Sequence, residues 1–132
     1  MAESILQRIR TLAGDRCEYC RLPQPASRFR LVLDHVIAQQ HRGTTTFLNL
    51  ALCCIECNYH KGPNIAGIDP DSGRLTRLFH PRNDDWDEHF RWSGAVLTGI
   101  TDVGRTTIEV LAINAPLRVA ARQTLIDEGA TL

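Results

Sequence analysis

The 132 residues suit one compact domain, large enough for a core and small enough that a metal staple adds usefully to stability. No apolar run approaches the roughly 18 to 20 residues of a membrane span, and "MAESILQRIR" lacks a secretory signal's apolar stretch and cleavage site, so a cytoplasmic protein without membrane association is expected. Fifteen Lys/Arg balance fifteen Asp/Glu, which argues against a strongly basic nucleic-acid-binding chain, yet residues 1–67 hold eight basic and five acidic side chains (+3) and residues 68–132 hold seven and ten (−3).

Ser4–Ala13 reads as an amphipathic helix: Ile5, Ile9 and Leu12 share a face, Ser4 and Gln7 fit a capping box, and Gly14 closes it. "CEYC" at 17–20 is a tight knuckle, and "RLPQPAS", with two prolines, is a loop. "RFRLVLDHVI" reads as a strand with Arg28, Arg30, Val32, Asp34 and Val36 facing one way and Phe29, Leu31, Leu33, His35 and Ile37 the other. Asp34 and His35 therefore start on opposite faces. A polar loop around Gly43 leads into a second short apolar run, "FLNLALCC", and "CIECNYHKG" holds a second knuckle and begins a helix.

Beyond that helix, "IDPDSGR" is a turn, "RLTRLFHP" a strand and "HFRWSGAVLTGIT" a hairpin around Ser93 and Gly94, together a small antiparallel sheet. Two helices end the chain, one from about Val103 to Ile113 and one from Pro116 to Glu128, with Asn114 as N-cap of the second. His80, Arg82, Trp86, His89 and Trp92 read as packing and salt-bridging around the acidic run Asp84, Asp85, Asp87, Glu88.

Four of the five cysteines fall into two C-x-x-C pairs, which in a reducing compartment favours thiolate metal binding over disulfides. Cys17, Cys20, Cys54 and Cys57 give two knuckles bent around one centre. Four thiolates at about 2.3 Å with no open position describe a structural zinc site. A redox pair or merely buried thiols are the alternatives, and two matched pairs argue against both. Cys53 could replace Cys54, but the two-residue knuckle fits both halves alike, and Cys53 is read as a buried free thiol.

The knuckles bracket "LDHV" and then "LNL", and "CNYHKG" follows immediately on the last cysteine pair. This order resembles the HNH endonucleases, in the branch whose ββα-metal motif is stapled by two C-x-x-C pairs. The resemblance covers roughly Arg16 to Gly62, and the tail, including "HPRNDDWDEHF" and "GRTTIEVLAIN", is similar to the C-terminal extension of small bacterial HNH proteins. It implies an α+β fold: a zinc-stapled ββα-metal (His-Me finger) core with a small antiparallel C-terminal sheet and two C-terminal helices. The expected single nuclease domain then comprises an N-terminal helix (1–15), a catalytic core (16–67) and an extension (68–132). The resemblance further implies that Asn49 orients the catalytic histidine through a backbone hydrogen bond, and that Asn58 is the asparagine version of the family's third named position.

The residue chemistry can be read beside the family. Phosphodiester hydrolysis needs an activated water, a Lewis acid for the charge developing on phosphate and leaving oxygen, and fixed positioning. An imidazole, with a reference pKa of about 6.5, can take the water's proton at neutral pH, and His35 fits that role. Asp34 and Asn58 supply hard oxygen donors suited to one catalytic Mg²⁺ or Mn²⁺. Arg42, His60 and Lys61 are candidate phosphate contacts, with His60 alternatively exposed or an auxiliary metal ligand.

Each residue alone has a plainer reading: Asp34 a strand-end cap, His35 a core histidine, Asn49 a turn former, Asn58 a helix cap, and His41 and Arg42 part of an exposed polar loop. Their joint order around the knuckles favours the nuclease reading. The expected activity is metal-dependent cleavage of double-stranded DNA, by nicking or double-strand scission, and the resemblance implies a 5′-phosphate and a 3′-hydroxyl as products. A zinc-stabilised nucleic-acid or protein binding module without catalysis, or a ribonuclease, stands as the alternative. No helix-turn-helix is visible, so any sequence specificity must come from loops, a homodimer or a recruiting protein partner.

Overall fold

Local chemistry opens the first helix. In the computed structural model, which describes residues 3–132, Ser4 Oγ accepts the Gln7 N–H and the Gln7 side chain accepts the Ser4 N–H, completing the capping box of α1 (Ile5–Leu12). Ile9 alone on the expected inner face is enclosed, whereas Ile5 and Leu12 stay exposed. The short helix packs on the Leu50–Cys53 strand and is anchored by that one side chain.

The single domain expected from length is internally divided into two compact units: one runs through residue 65 and includes His80–Asn83, and the other comprises 66–79 and 84–132. In the first, β1 (Val32–His35) pairs antiparallel with β2 (Leu50–Cys53), setting Asp34 opposite Ala51 and His35 opposite Leu50. Cys54 follows β2 at once and caps α2 (Ile55–Lys61), so the order is strand, loop, strand, helix. Ile9, Leu31, Val36, Leu50, Ala51 and Leu52 form the apolar core beside the cysteines.

β1 is shorter than the alternation over 28–37 suggests, and Arg28, Phe29 and Arg30 are exposed outside it. The reason is local. Gln24 Nε2 and Ser27 Oγ both donate to the Phe29 carbonyl, at 3.1 and 2.6 Å, and Gln24 Oε1 accepts the Leu31 N–H at 2.8 Å. Backbone groups satisfied in this way have no need of a neighbouring strand.

The second unit holds two separate hairpins in place of one sheet. β3 (Ala66–Ile68) pairs with β4 (Leu75–Arg77), and β5 (Phe90–Ser93) pairs with β6 (Val96–Gly99) after the single turn of α3 (Trp86–His89). Gly94, at φ +59°, opens the two-residue turn between β5 and β6. Both hairpins pack against α4 (Asp102–Val110), which takes the place of a direct ladder between them. Asp69, in the β3–β4 turn and without solvent exposure, accepts from Arg105 Nε and Nη2 at 3.0 and 2.9 Å. The Arg105 guanidinium holds its carboxyl well below the usual range.

α5 (Pro116–Asp127) begins with its proline in the first turn, but Asn114 does not cap it: Ala115 holds that position with no side-chain bond. Asn114 turns instead to β6, its Oδ1 accepting the Leu97 N–H at 2.9 Å and its Nδ2 donating to the Leu97 carbonyl at 2.7 Å. Satisfying two strand-edge groups at once outweighs one helix-end N–H. Among the described residues no helix is long and apolar enough to cross a membrane.

Candidate metal centre and active site

One ligand atom from each of Cys17, Cys20, Cys54 and Cys57 lies within 4.8 Å of the others, and all four residues are buried. Sequence position explains the geometry: one pair sits on the knuckle after α1, and the other straddles the junction of β2 and α2. Each knuckle closes with a backbone N–H toward the earlier sulfur, Cys20 N to Cys17 Sγ at 3.5 Å and Cys57 N to Cys54 Sγ at 3.4 Å. Burial pushes the Cys17 and Cys57 thiols far up. Four thiols held this close and this dry need a cation to become thiolates, and the all-sulfur set fits Zn²⁺ with no position left open. Cys53 is buried and unpaired, as expected of the spare thiol, and its Sγ donates to the Cys54 carbonyl at 3.3 Å.

Asp34 and His35 do lie on opposite faces of β1. Asp34 is only 5% exposed, whereas His35 is half-buried at the strand's end. His35 Nε2 meets Thr45 Oγ1 at 2.8 Å, and the same hydroxyl accepts from Gln39 Nε2 at 3.3 Å. Asn49, buried at the foot of β2, clamps the loop between: Oδ1 accepts the Ile37 N–H at 2.9 Å, while Nδ2 donates to the Ile37 and Thr44 carbonyls at 3.0 and 2.9 Å. Its own carbonyl accepts the Val36 N–H at 2.9 Å, next along the chain from His35. Gly43 makes the clamp sterically possible, because a Cβ there would stand 1.6 Å from the Ile37 carbonyl oxygen and 2.8 Å from Asn49 Nδ2.

The Asp34 carboxylate is held from two sides. Tyr19 donates its hydroxyl to Oδ2 at 2.7 Å, and Lys61 Nζ lies 3.3 Å from Oδ1 and 3.2 Å from Oδ2. Burial pushes the Asp34 carboxyl up, opposed first by Lys61 and then by Tyr19. Lys61 also donates to the His35 carbonyl at 3.1 Å and has no solvent exposure. This corrects its expected place at a phosphate: Lys61 shares the inward face of α2 with Cys57, four residues earlier, and its ammonium is spent on a buried carboxylate.

Asn58, Arg42 and His60 are all exposed. Asn58 is three residues before Lys61, on the neighbouring flank of α2. Arg42 has a left-handed backbone at φ +71°, and His60 packs against the edge of Tyr59 with ring centroids 5.2 Å apart. A carboxylate offers about four lone-pair sites, so the three contacts from Tyr19 and Lys61 leave Asp34 room for one metal bond. Carboxylate and amide oxygens, the donor types of Asp34 and Asn58, are those that suit a small hard cation.

Tyr19 and Thr45 were not singled out from the sequence, and Gly43 was read only as the centre of a polar loop. Tyr19 carried one usable signal, its place between two of the paired cysteines, whereas nothing in the loop's pattern marks Thr45.

Two short strands, a clamped histidine loop and a helix, tied by four thiols, define the zinc-stapled ββα-metal class. The HNH endonuclease family model matches residues 17–64, so the resemblance drawn from the motifs holds over this stretch. No curated protein and no solved structure matches the chain.

Proposed function

We propose that residues 17–64 carry a metal-dependent endonuclease centre that hydrolyses DNA phosphodiester bonds in the cytoplasm, with His35 as general base. The observation that carries this reading is the His35–Thr45 hydrogen bond on a loop clamped by Asn49. In the tautomer that donates Nε2–H to Thr45 Oγ1, the lone pair is left on Nδ1, where it can take a proton from water.

Asn49 acts on the backbone, holding Val36 and Ile37 so that the ring of the preceding histidine keeps one orientation. Asp34 and Asn58 would hold a single Mg²⁺ or Mn²⁺, which when bound supplies Lewis-acid stabilisation of charge on the phosphate. Arg42 and His60 remain as phosphate contacts, in keeping with their exposure and with the +3 balance of residues 1–67. None of the five cysteines is in a disulfide, in accord with a reducing compartment.

Incubation of supercoiled plasmid and of RNA with EDTA, Mg²⁺ or Mn²⁺ tests the reading. Plasmid nicking should require the divalent ion, and His35→Ala should lower the rate by about 10²- to 10⁴-fold with zinc content and fold unchanged. Full cleavage by His35→Ala, or activity surviving in EDTA, would falsify the mechanism. Cleavage of RNA alone would move the substrate and keep the centre. Binding without cleavage of either would leave the zinc-stabilised binding module.

A further inference from the structure

We infer that Tyr19 is a positioning residue that couples the zinc knuckle to the divalent-ion site by fixing the Asp34 carboxylate. The inference rests on the reading of Asp34 as a ligand of the catalytic ion. Tyr19 stands between the zinc ligands Cys17 and Cys20, is fully buried, and places its hydroxyl 2.7 Å from Asp34 Oδ2.

The knuckle that aims Tyr19 is itself immobilised on β2. Cys17 N donates to Leu22 O and Arg21 N to Cys17 O, each at 2.9 Å, which closes the turn on itself. Glu18, the preceding residue, donates its N–H to Leu52 O at 2.8 Å and accepts the Leu52 N–H on its carboxylate at 2.7 Å. Leu52 pairs with Leu33, the residue before Asp34. Thus the knuckle grips β2 through Glu18 and reaches across to β1 through Tyr19.

The consequence is geometric. Tyr19 on Oδ2 and Lys61 across both oxygens set the plane of the carboxylate, leaving the remaining lone pair of Oδ1 in a fixed direction. Partners that hydrogen-bond a ligating side chain typically account for about 10- to 100-fold in metal affinity. Removing the hydroxyl takes away orientation while sparing the four zinc ligands and the His35 base.

The test is a Mn²⁺ titration of zinc-loaded protein, following free Mn²⁺ by its paramagnetic resonance, in wild type and Tyr19→Phe. Tyr19→Phe should keep its zinc, bind Mn²⁺ about 10- to 100-fold more weakly, and recover plasmid nicking as Mn²⁺ is raised. A merely structural tyrosine would lower the unfolding midpoint and leave Mn²⁺ affinity alone. Equal affinity in the two proteins overturns the inference and leaves the nuclease reading standing. Failure of wild type to bind Mn²⁺ overturns both.

A second measurement needs no variant at residue 19. The chain has two tyrosines, and Tyr59 is 79% exposed, so in protein labelled with 3-fluorotyrosine the two ¹⁹F signals are separable, with Tyr59→Phe assigning them. Mg²⁺ should shift the Tyr19 signal and leave that of Tyr59 in place. A Tyr19 signal that does not respond to saturating Mg²⁺ overturns the coupling even if Tyr19→Phe fails to fold.

Discussion

Asn49 in the first unit and Asn114 in the second make nearly the same contact. Each accepts the N–H and donates to the C=O of one residue, Ile37 for Asn49 and Leu97 for Asn114. Around Asn114 everything serves cohesion: Arg122 donates to the same amide oxygen and to the Ala95 carbonyl, and Arg118 caps the end of α4 through the Leu111 and Ala112 carbonyls. Around Asn49 the clamped residue follows two positions after His35, and the surrounding cohesion comes from four thiols. An amide clamp is therefore not in itself a functional feature. It acquires a chemical consequence only where the backbone it fixes carries a group that can move a proton.

The sharpest way to separate the units is to remove zinc. A structural zinc site contributes about 10 to 16 kcal/mol of apparent binding energy in small peptides, so chelation or Cys57→Ser should unfold the first unit. Both tryptophans, Trp86 and Trp92, lie in the second. Their fluorescence should therefore keep its native spectrum while far-ultraviolet circular dichroism falls, and a coincident loss of both signals would deny the units separate stability.

A smaller effect is expected from Lys61→Met, which leaves the Asp34 carboxylate buried without its cation. Breaking such a pair costs about 3 to 5 kcal/mol. Urea unfolding followed through zinc release should show it. A variant as stable as wild type would return Lys61 to the surface role first expected of it.

Next come the two asparagines. Asn114→Ala strands the two backbone groups of Leu97, and Asn49→Ala those of Ile37 together with the Thr44 carbonyl, at about 1 to 3 kcal/mol per buried group. Asn114→Ala should lower the urea midpoint read by tryptophan fluorescence and spare nicking, whereas Asn49→Ala should slow nicking and spare that midpoint. Equal loss of nicking in both would erase the distinction between the clamps. The smallest change is expected from Thr45→Val, which removes the hydroxyl's contacts to Gln39 and His35; loss of the His35 bond, worth about 0.5 to 1.5 kcal/mol, slows nicking about 2- to 10-fold with zinc unaltered. An unchanged rate would mean that the His35 ring is oriented by something other than Thr45.

Much of this was readable from the chain because it rests on short-range rules. The Ser4–Gln7 box, the paired C-x-x-C knuckles, the opposite faces of Asp34 and His35 and the Ser93–Gly94 turn all depend on residues a few positions apart. What escaped depends on distant partners. Arg28–Arg30 alternate like a strand, yet Gln24 and Ser27 take the backbone bonds that a strand would use. Asn114 has the composition of a helix cap, but the hairpin edge at Leu97 offered two bonds in place of one. Lys61 shows the limit most clearly. Its spacing from Cys57 placed it on the inward face of α2, but only the fold brings Asp34 there to receive it.

Gly43 bears on how other sequences of this kind can be read. Its value lies in absent volume, since the Ile37 carbonyl occupies the space where any side chain would begin. A chain with the same knuckles and the same Asp-His pair but a bulkier residue at this position cannot trace the same loop. Its histidine would have to be oriented by a different set of partners, and that divergence can be diagnosed from a single letter before any coordinates are known.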